Sequence, residues 1–190
     1  ICKDSKTNHI CNEILVLAKL HCIFSIYQKA LALIFFNVID IVDSFELQKL
    51  FCDMKEAEVE YAIMEVSSHA LELSRVYGIT YEVGAFTNLT QDHLDFHITM
   101  ENYAAAKAKL FKQSKFAVIN TDDSYGKKMP ENCPCTYVTY GVNNECSLKA
   151  ENVVLSQSGV EFTVEGVDFR LAIPGEFSVY NGLCAIGICK

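Results

Sequence analysis

Two short apolar runs in this chain each end on polar residues able to do chemistry, and that pattern restricts the fold more than any other feature. Tyr61-Ala62-Ile63-Met64 ends on Glu65, and Glu82 to Leu89, with Asn88 near its end, opens into a loop carrying Asp92, His93, Asp95 and His97. Apolar runs of this length suit strands buried in a parallel sheet. Helix-compatible segments follow each run, Ser67 to Val76 and then Thr99 to about Gln113, the second carrying Lys107. Lys115 to Asn120 reads as the next strand, Asp122 to Met129 as a short helix or turn, and Thr136 to Tyr140 as a further strand. Strands alternating with helices predict an α/β fold with a mostly parallel, doubly wound sheet. In such a sheet ligands gather at the carboxyl ends of the strands, where Glu65 and Asn88 stand.

The pattern changes after Gly141. Ser147 to Ser156, Gly159 to Glu165 and Val167 to Ile173 read as strands joined by tight turns, which predicts an appended antiparallel meander. Pro174-Gly175 breaks it, and a helix is expected from Ser178 into the C-terminus. That helix pattern still runs at Lys190, so a truncated domain is expected. Nearer the N-terminus, Ser44 caps a helix with Leu47, Leu50, Phe51 and Met54 on one face. Ile14 to Ile39 is apolar without breakers and predicts a further helix.

Composition bounds the function. With 190 residues, 51% of them apolar, the chain buries at least one good core. A net charge of −8 without a basic stripe argues against a nucleic-acid surface. Nucleotide phosphates remain compatible with such a charge, because local cations and helix N-termini neutralise them. The nine cysteines stand at 2, 11, 22, 52, 133, 135, 146, 184 and 189. Their odd number and the lack of CxxC spacing predict reduced thiols and a cytoplasmic location. Cys133-Pro134-Cys135 has the look of a metal clip, but a CxC pair without a second pair reads more simply as part of one loop. No membrane span is expected; the closest stretch, Ala30 to Ile39, is too short.

Four strings carry a family resemblance: EVSSHAL, FTNLTQDHLDFH, TMENYAAAKAKLF and VYNGLCAIG. They occur in the order and at the spacing of the Mur ligases, the ATP-dependent enzymes that add amino acids to the peptidoglycan precursor. From about Ser44 to Lys190 the chain resembles the central, ATP-binding domain of that family, in particular the tripeptide synthetases (MurE type). The resemblance implies that ATP phosphorylates a carboxylate of UDP-N-acetylmuramoyl-L-alanyl-D-glutamate. The amine of a free amino acid then attacks the acyl phosphate, and the third residue is joined. ATP and Mg²⁺ are the implied cofactors, and the UDP-N-acetylmuramoyl dipeptide and an amino acid are the implied partners.

The same resemblance assigns roles. Glu65 matches a magnesium ligand, against the plainer reading of a solvated strand-end glutamate. His93 matches a residue that helps hold a second magnesium, with Asp92 and Asp95 able to orient its ring; a lone loop histidine is otherwise a surface group. Lys107 matches a lysine carbamylated by carbon dioxide, which converts a cation into an anionic Mg²⁺ ligand, whereas Lys109 and Lys112 read as ordinary helix lysines. Ser67 and Arg75 match residues that contact the UDP-muramoyl peptide, although Ser67 also reads as a helix N-cap. Asn88 and Asn181 match residues near the nucleotide; the second family Asn, three residues before Asn181, is Ser178 here. His97 reads as structural.

The resemblance stops before Ser44. A Mur ligase needs a glycine-rich phosphate loop whose N–H groups reach the phosphates, and this chain has no glycine before Gly78. Residues 1–43 therefore read as an aberrant segment and 44–190 as an incomplete central domain, without the family's flanking UDP-binding and amino-acid-binding domains. Codons for Thr-Gly-Thr-Asn-Gly-Lys-Thr-Thr, read one base late, give a string that matches Leu15-Val16-Leu17-Ala18-Lys19-Leu20-His21 with one residue missing. Out-of-frame translation of the first segment is thus expected. Three readings stay open: a piece of a working ligase, an inactive remnant, and a UDP-sugar-peptide-binding module. A folylpolyglutamate synthase-like ligase shares the reaction, but EVSSHAL and TQDHLDFH point away from it. The identity of the third amino acid is left open.

Overall fold

The computed structural model describes residues 31–34, 44–59, 61–90 and 94–190. The chain divides into two compact units, Ile1–Gly78 and Ile79–Lys190. In the first, β1 (Leu31–Ile34) and β2 (Tyr61–Met64) pair in parallel, Leu31 opposite Tyr61 and Ile34 opposite Met64. Parallel strands need a crossover, and α1 (Ser44–Glu56) lies between them in sequence. Leu47 is buried, and Leu50, Phe51 and Met54 are half-buried, so the expected apolar stripe is the less exposed face. The strand at Leu31–Ile34 corrects the expectation of one helix from Ile14 to Ile39. Pairing with β2 overrides local helix propensity there. The rest of that segment, and the boundary expected at residue 43, lie outside the described residues.

Helix α2 (Ser68–Glu72) is shorter than the expected Ser67 to Val76. Ser74 takes the left-handed conformation (φ 56°), which breaks helical geometry before Val76.

The second unit is built on a four-stranded parallel sheet in the order β3 (Tyr81–Phe86), β4 (Ser114–Asn120), β5 (Thr136–Gly141) and β6 (Leu148–Lys149). In β4, Ala117, Val118 and Ile119 are each 0% exposed, the mark of a strand covered on both faces. Side chains alternate across it. Val118 joins a cluster with Tyr140, Leu148, Phe162, Val179 and Leu183. Ala117 and Ile119 join Phe86, Leu89, Tyr103, Phe111 and Met129. The doubly wound reading therefore holds.

Two short helices, α3 (Leu94–His97) and α4 (Met100–Ala108), precede β4. Thr99 caps α4, its Oγ1 accepting the Asn102 N–H at 3.2 Å, as expected. The helix tightens to a 3₁₀ turn over Lys109–Gln113. Helix α5 (Phe177–Cys189) packs against β4 at Gly187, where a Cβ would stand 2.8 Å from Val118 Cγ1. Only the lack of a side chain permits that approach.

The meander is present as β7 (Glu151–Ser156), β8 (Gly159–Val164) and β9 (Val167–Leu171), paired antiparallel. Ser147 to Ser156 is not the single strand expected. Leu148 and Lys149 pair in parallel with Tyr140 and Gly141. Burying Leu148 completely beside Tyr140 draws this stretch into the parallel sheet, and the chain then starts β7 at Glu151.

Candidate functional site

In the first unit Glu65 and Ser67 follow the C-terminal end of β2, and Arg75 follows α2. Glu65 follows Met64 directly and is exposed. Ser67 is the N-cap of α2, its Oγ accepting the Ala70 N–H at 3.1 Å. Capping uses the hydroxyl as acceptor and leaves its O–H to donate elsewhere, so capping and substrate contact are compatible. Arg75 is half-buried, its backbone N–H bonded to the Ala70 carbonyl at 2.9 Å.

In the second unit the strand tips are stapled by one short polar run, Asn120-Thr121-Asp122-Asp123. Asn120 Nδ2 donates to the Thr87 carbonyl at 2.7 Å. Asp123 Oδ2 accepts the Leu89 N–H at 3.0 Å, and its Oδ1 accepts the N–H groups of Tyr125 and Gly126, each at 2.9 Å. Asn88, itself exposed, thus sits between two residues pinned to the end of β4. Asp122 reaches the other way. It accepts the N–H groups of Val142 at 2.6 Å, Asn143 at 2.8 Å and Asn144 at 2.7 Å. The Tyr180 hydroxyl adds a bond at 3.0 Å. Burial alone would raise the Asp122 pKa, but the three N–H groups and the tyrosine together hold it below the ordinary 3.8. Tyr180 is pushed well above its usual range by burial and by its bond to Asp122.

Tyr180 directly precedes Asn181, so the polar run at the end of β4 also anchors the helix that carries the expected nucleotide contact. Asn181 is half-buried. Ser178, at the position of the second family Asn, is buried, and its Oγ has no hydrogen-bond partner. The strand-tip network was not anticipated from the sequence. Its signal was there: four small polar residues in a row at a strand end are the residue types that bond neighbouring backbone.

Lys107 lies half-buried in the last turn of α4 with its Nζ 5.8 Å from the centre of the Tyr103 ring. That ring stacks on His97, centroids 5.0 Å apart and 10° from parallel. His97 is buried at 5% exposure, which fits the structural role read for it. Ile98, the next residue, is 78% exposed and takes φ +69°, an unusual conformation for a β-branched residue. His93 lies outside the described residues.

Glu65 belongs to the first unit and Lys107 to the second, so each half of the expected metal set is described on its own. Among the described residues, no three His, Cys, Asp or Glu side chains converge as a metal site. The donor chemistry fits Mg²⁺ at Glu65, since this cation takes oxygen ligands; an unmodified lysine amine over an aromatic ring does not fit. Among the described residues no helix is long and apolar enough to cross a membrane.

The family model described as the Mur ligase middle domain matches residues 7–189. The chain belongs to the Mur ligase family. That match begins ahead of Ser44 and includes most of the segment set apart above. A Mur ligase from Clostridium botulinum, UDP-N-acetylmuramoyl-L-alanyl-D-glutamate–2,6-diaminopimelate ligase, is 51% identical over 151 residues, covering 77% of this chain and 31% of that protein. Its Bacillus cereus counterpart is 43% identical over 156 residues, covering 75% and 32%. A solved structure of a ligase of the same name superposes with a TM-score of 0.77 at 27% identity, over 90% of this chain and 39% of that one. MurF from Acinetobacter baumannii shares the fold, with a TM-score of 0.73 at 15% identity over 92% of this chain and 39% of that one. The chain thus spans about a third of the length of the curated Mur ligases it matches.

Proposed function

We propose that this chain is part of a cytoplasmic Mur ligase that joins diaminopimelate to UDP-N-acetylmuramoyl-L-alanyl-D-glutamate, and that the chain by itself does not turn over. The reading is carried by one observation: identity of 51% to a ligase named for that reaction, over 151 residues of the chain. In the whole enzyme, ATP supplies the phosphoryl group that activates the substrate carboxylate, and Mg²⁺ offsets its charge.

The chain's own residues have separable tasks. Arg75 offers a planar, permanently charged donor set for a carboxylate or phosphate of the UDP-muramoyl dipeptide. The Ser67 hydroxyl donates to the same ligand while capping α2. Glu65 would supply an anionic oxygen to Mg²⁺, and His93 would assist. Lys107 would add as neutral amine to carbon dioxide, forming an N–C bond and releasing one proton, and the resulting carbamate would be an anionic Mg²⁺ ligand. Asn88 and Asn181 approach the nucleotide.

Turnover by the chain alone is not expected, because no glycine precedes Gly78 to form a phosphate cradle. The same absence supports a second reading, a binding module or remnant of the ligase in which residues 1–43 are translated out of frame and 44–190 are the incomplete central domain.

The test mixes the chain with ATP, Mg²⁺, diaminopimelate and the UDP-muramoyl dipeptide. No phosphate release is expected, while calorimetry should show saturable binding of the dipeptide, weakened about tenfold in Arg75→Ala, or about 1.4 kcal/mol. Phosphate release dependent on both substrates would overturn the claim of inactivity. Absence of any dipeptide binding would leave only the remnant. The coding DNA decides the first segment: a phosphate-loop sequence in the adjacent frame is the expected result.

A further inference from the structure

The ligase reading makes no use of Cys133-Pro134-Cys135. This tripeptide lies between the 3₁₀ turn Gly126–Asn132 and β5. The two sulfurs are 3.6 Å apart, and Cys133 Sγ is also 3.6 Å from the Cys135 carbonyl oxygen. Both side chains pack against the cluster that holds Phe111, Ile119 and Met129, yet both remain partly exposed. Proline fixes φ at the residue between them. Among the described residues no third ligand joins the pair, so it falls short of a structural zinc site, which takes four. Reversible oxidation needs only two sulfurs.

We propose that Cys133 and Cys135 form a dithiol modification site that closes to an internal disulfide on exchange with low-molecular-weight disulfides. The Cys133 thiolate attacks one sulfur of the small disulfide, breaks its S–S bond and releases one small thiolate. Cys135 then loses its proton to solvent and attacks Cys133 Sγ in the mixed disulfide, expelling the second small thiolate. Two protein thiols are oxidised and one small disulfide is reduced. The order follows from the surroundings. Burial, the hydrogen bond with Cys133 and the Cys133 charge push the Cys135 thiol up to about 11, which suits it to the second, intramolecular step. Closure shortens the sulfur separation to the ~2.05 Å of a disulfide. Because a single residue intervenes, the ring is small, and the bond should be easily reduced.

The test equilibrates the chain with hydroxyethyl disulfide, blocks remaining thiols with an alkylating reagent and maps the segment Met129–Lys149 by mass spectrometry, using fragment ions to separate Cys146. The expected product has lost two hydrogens between Cys133 and Cys135, and dithiothreitol restores it. Exposed Cys52 and Cys189 serve as controls and should carry separate mixed disulfides. Cys135→Ser should trap the small thiol on Cys133, and Cys133→Ser should leave Cys135 mostly alkylated. Independent adducts on both residues, a bond from either to Cys146, or free thiols at 133 and 135 while Cys52 reacts would each overturn the proposal. Circular dichroism of both variants confirms that they fold.

Discussion

Up to Gly78 the described core consists of Leu47, Ala70, Leu71, Val76 and the buried hydroxyl of Ser68, beside a sheet of two strands. From Ile79 onward, a four-stranded sheet carries an apolar cluster on each face, and a polar run locks its strand tips. The residues expected to act divide between these regions. Glu65, Ser67 and Arg75 stand in the first region, and Asn88, Lys107 and Asn181 in the second. The contrast teaches that a shared backbone network fixes the loops around Asn88 and Asn181 in the second unit, whereas in the first the described residues place Ser67 by a helix cap.

The contrast can be attacked at several points. Leu183→Ala empties a fully buried position on α5 and should cost about 3–4 kcal/mol in urea unfolding. Native-state hydrogen exchange should then show faster opening at β4 amides with β2 amides unchanged. Equal acceleration in both would mean that the two units unfold as one.

Asp122→Ala removes the acceptor of three N–H groups and a tyrosine hydroxyl, and should cost about 2–3 kcal/mol by the same measurement. A cost below about 0.5 kcal/mol would show the strand-tip network to be solvent-compensated.

The same carboxyl gives a pH signature. Its folded pKa lies below the ordinary 3.8, so its contribution is fully present above the unfolded value of about 3.9 and fades as pH falls through the folded value. Stability of the native chain should drop more steeply than that of Asp122→Asn between about pH 5 and pH 2. Parallel curves would remove Asp122 as the cause.

Ile98→Gly relieves a β-branched residue at φ +69° and should raise stability by about 1 kcal/mol, read as a higher thermal midpoint. The smallest effect is expected at the exposed Lys115–Glu82 pair, where Glu82→Gln should change stability by less than about 0.5 kcal/mol.

Much of this was legible in the residues. Short apolar runs ending on Glu65 and near Asn88 marked β2 and β3, and Thr99 marked the start of α4, because burial and capping are local signals. Leu148–Lys149 escaped because two residues hold too little pattern to tell an edge of the parallel sheet from the start of a meander; the pairing with β5 decided it. Leu31–Ile34 escaped because an apolar run without breakers suits helix and strand alike until a partner strand is present. The Asn120–Asp123 staple depends on which backbone groups of distant loops point inward, and that is tertiary information. Candidate ligands were legible by motif, but whether they converge depends on how the chain closes around them.

Glu65, exposed just past the end of β2, is proposed to offer its carboxylate to a divalent cation. Manganese is the direct probe: electron paramagnetic resonance in bicarbonate buffer, with the UDP-muramoyl dipeptide present, counts the free ion. Saturable binding is expected, weakened about tenfold or more in Glu65→Gln. Unchanged manganese affinity in that variant would contradict the account.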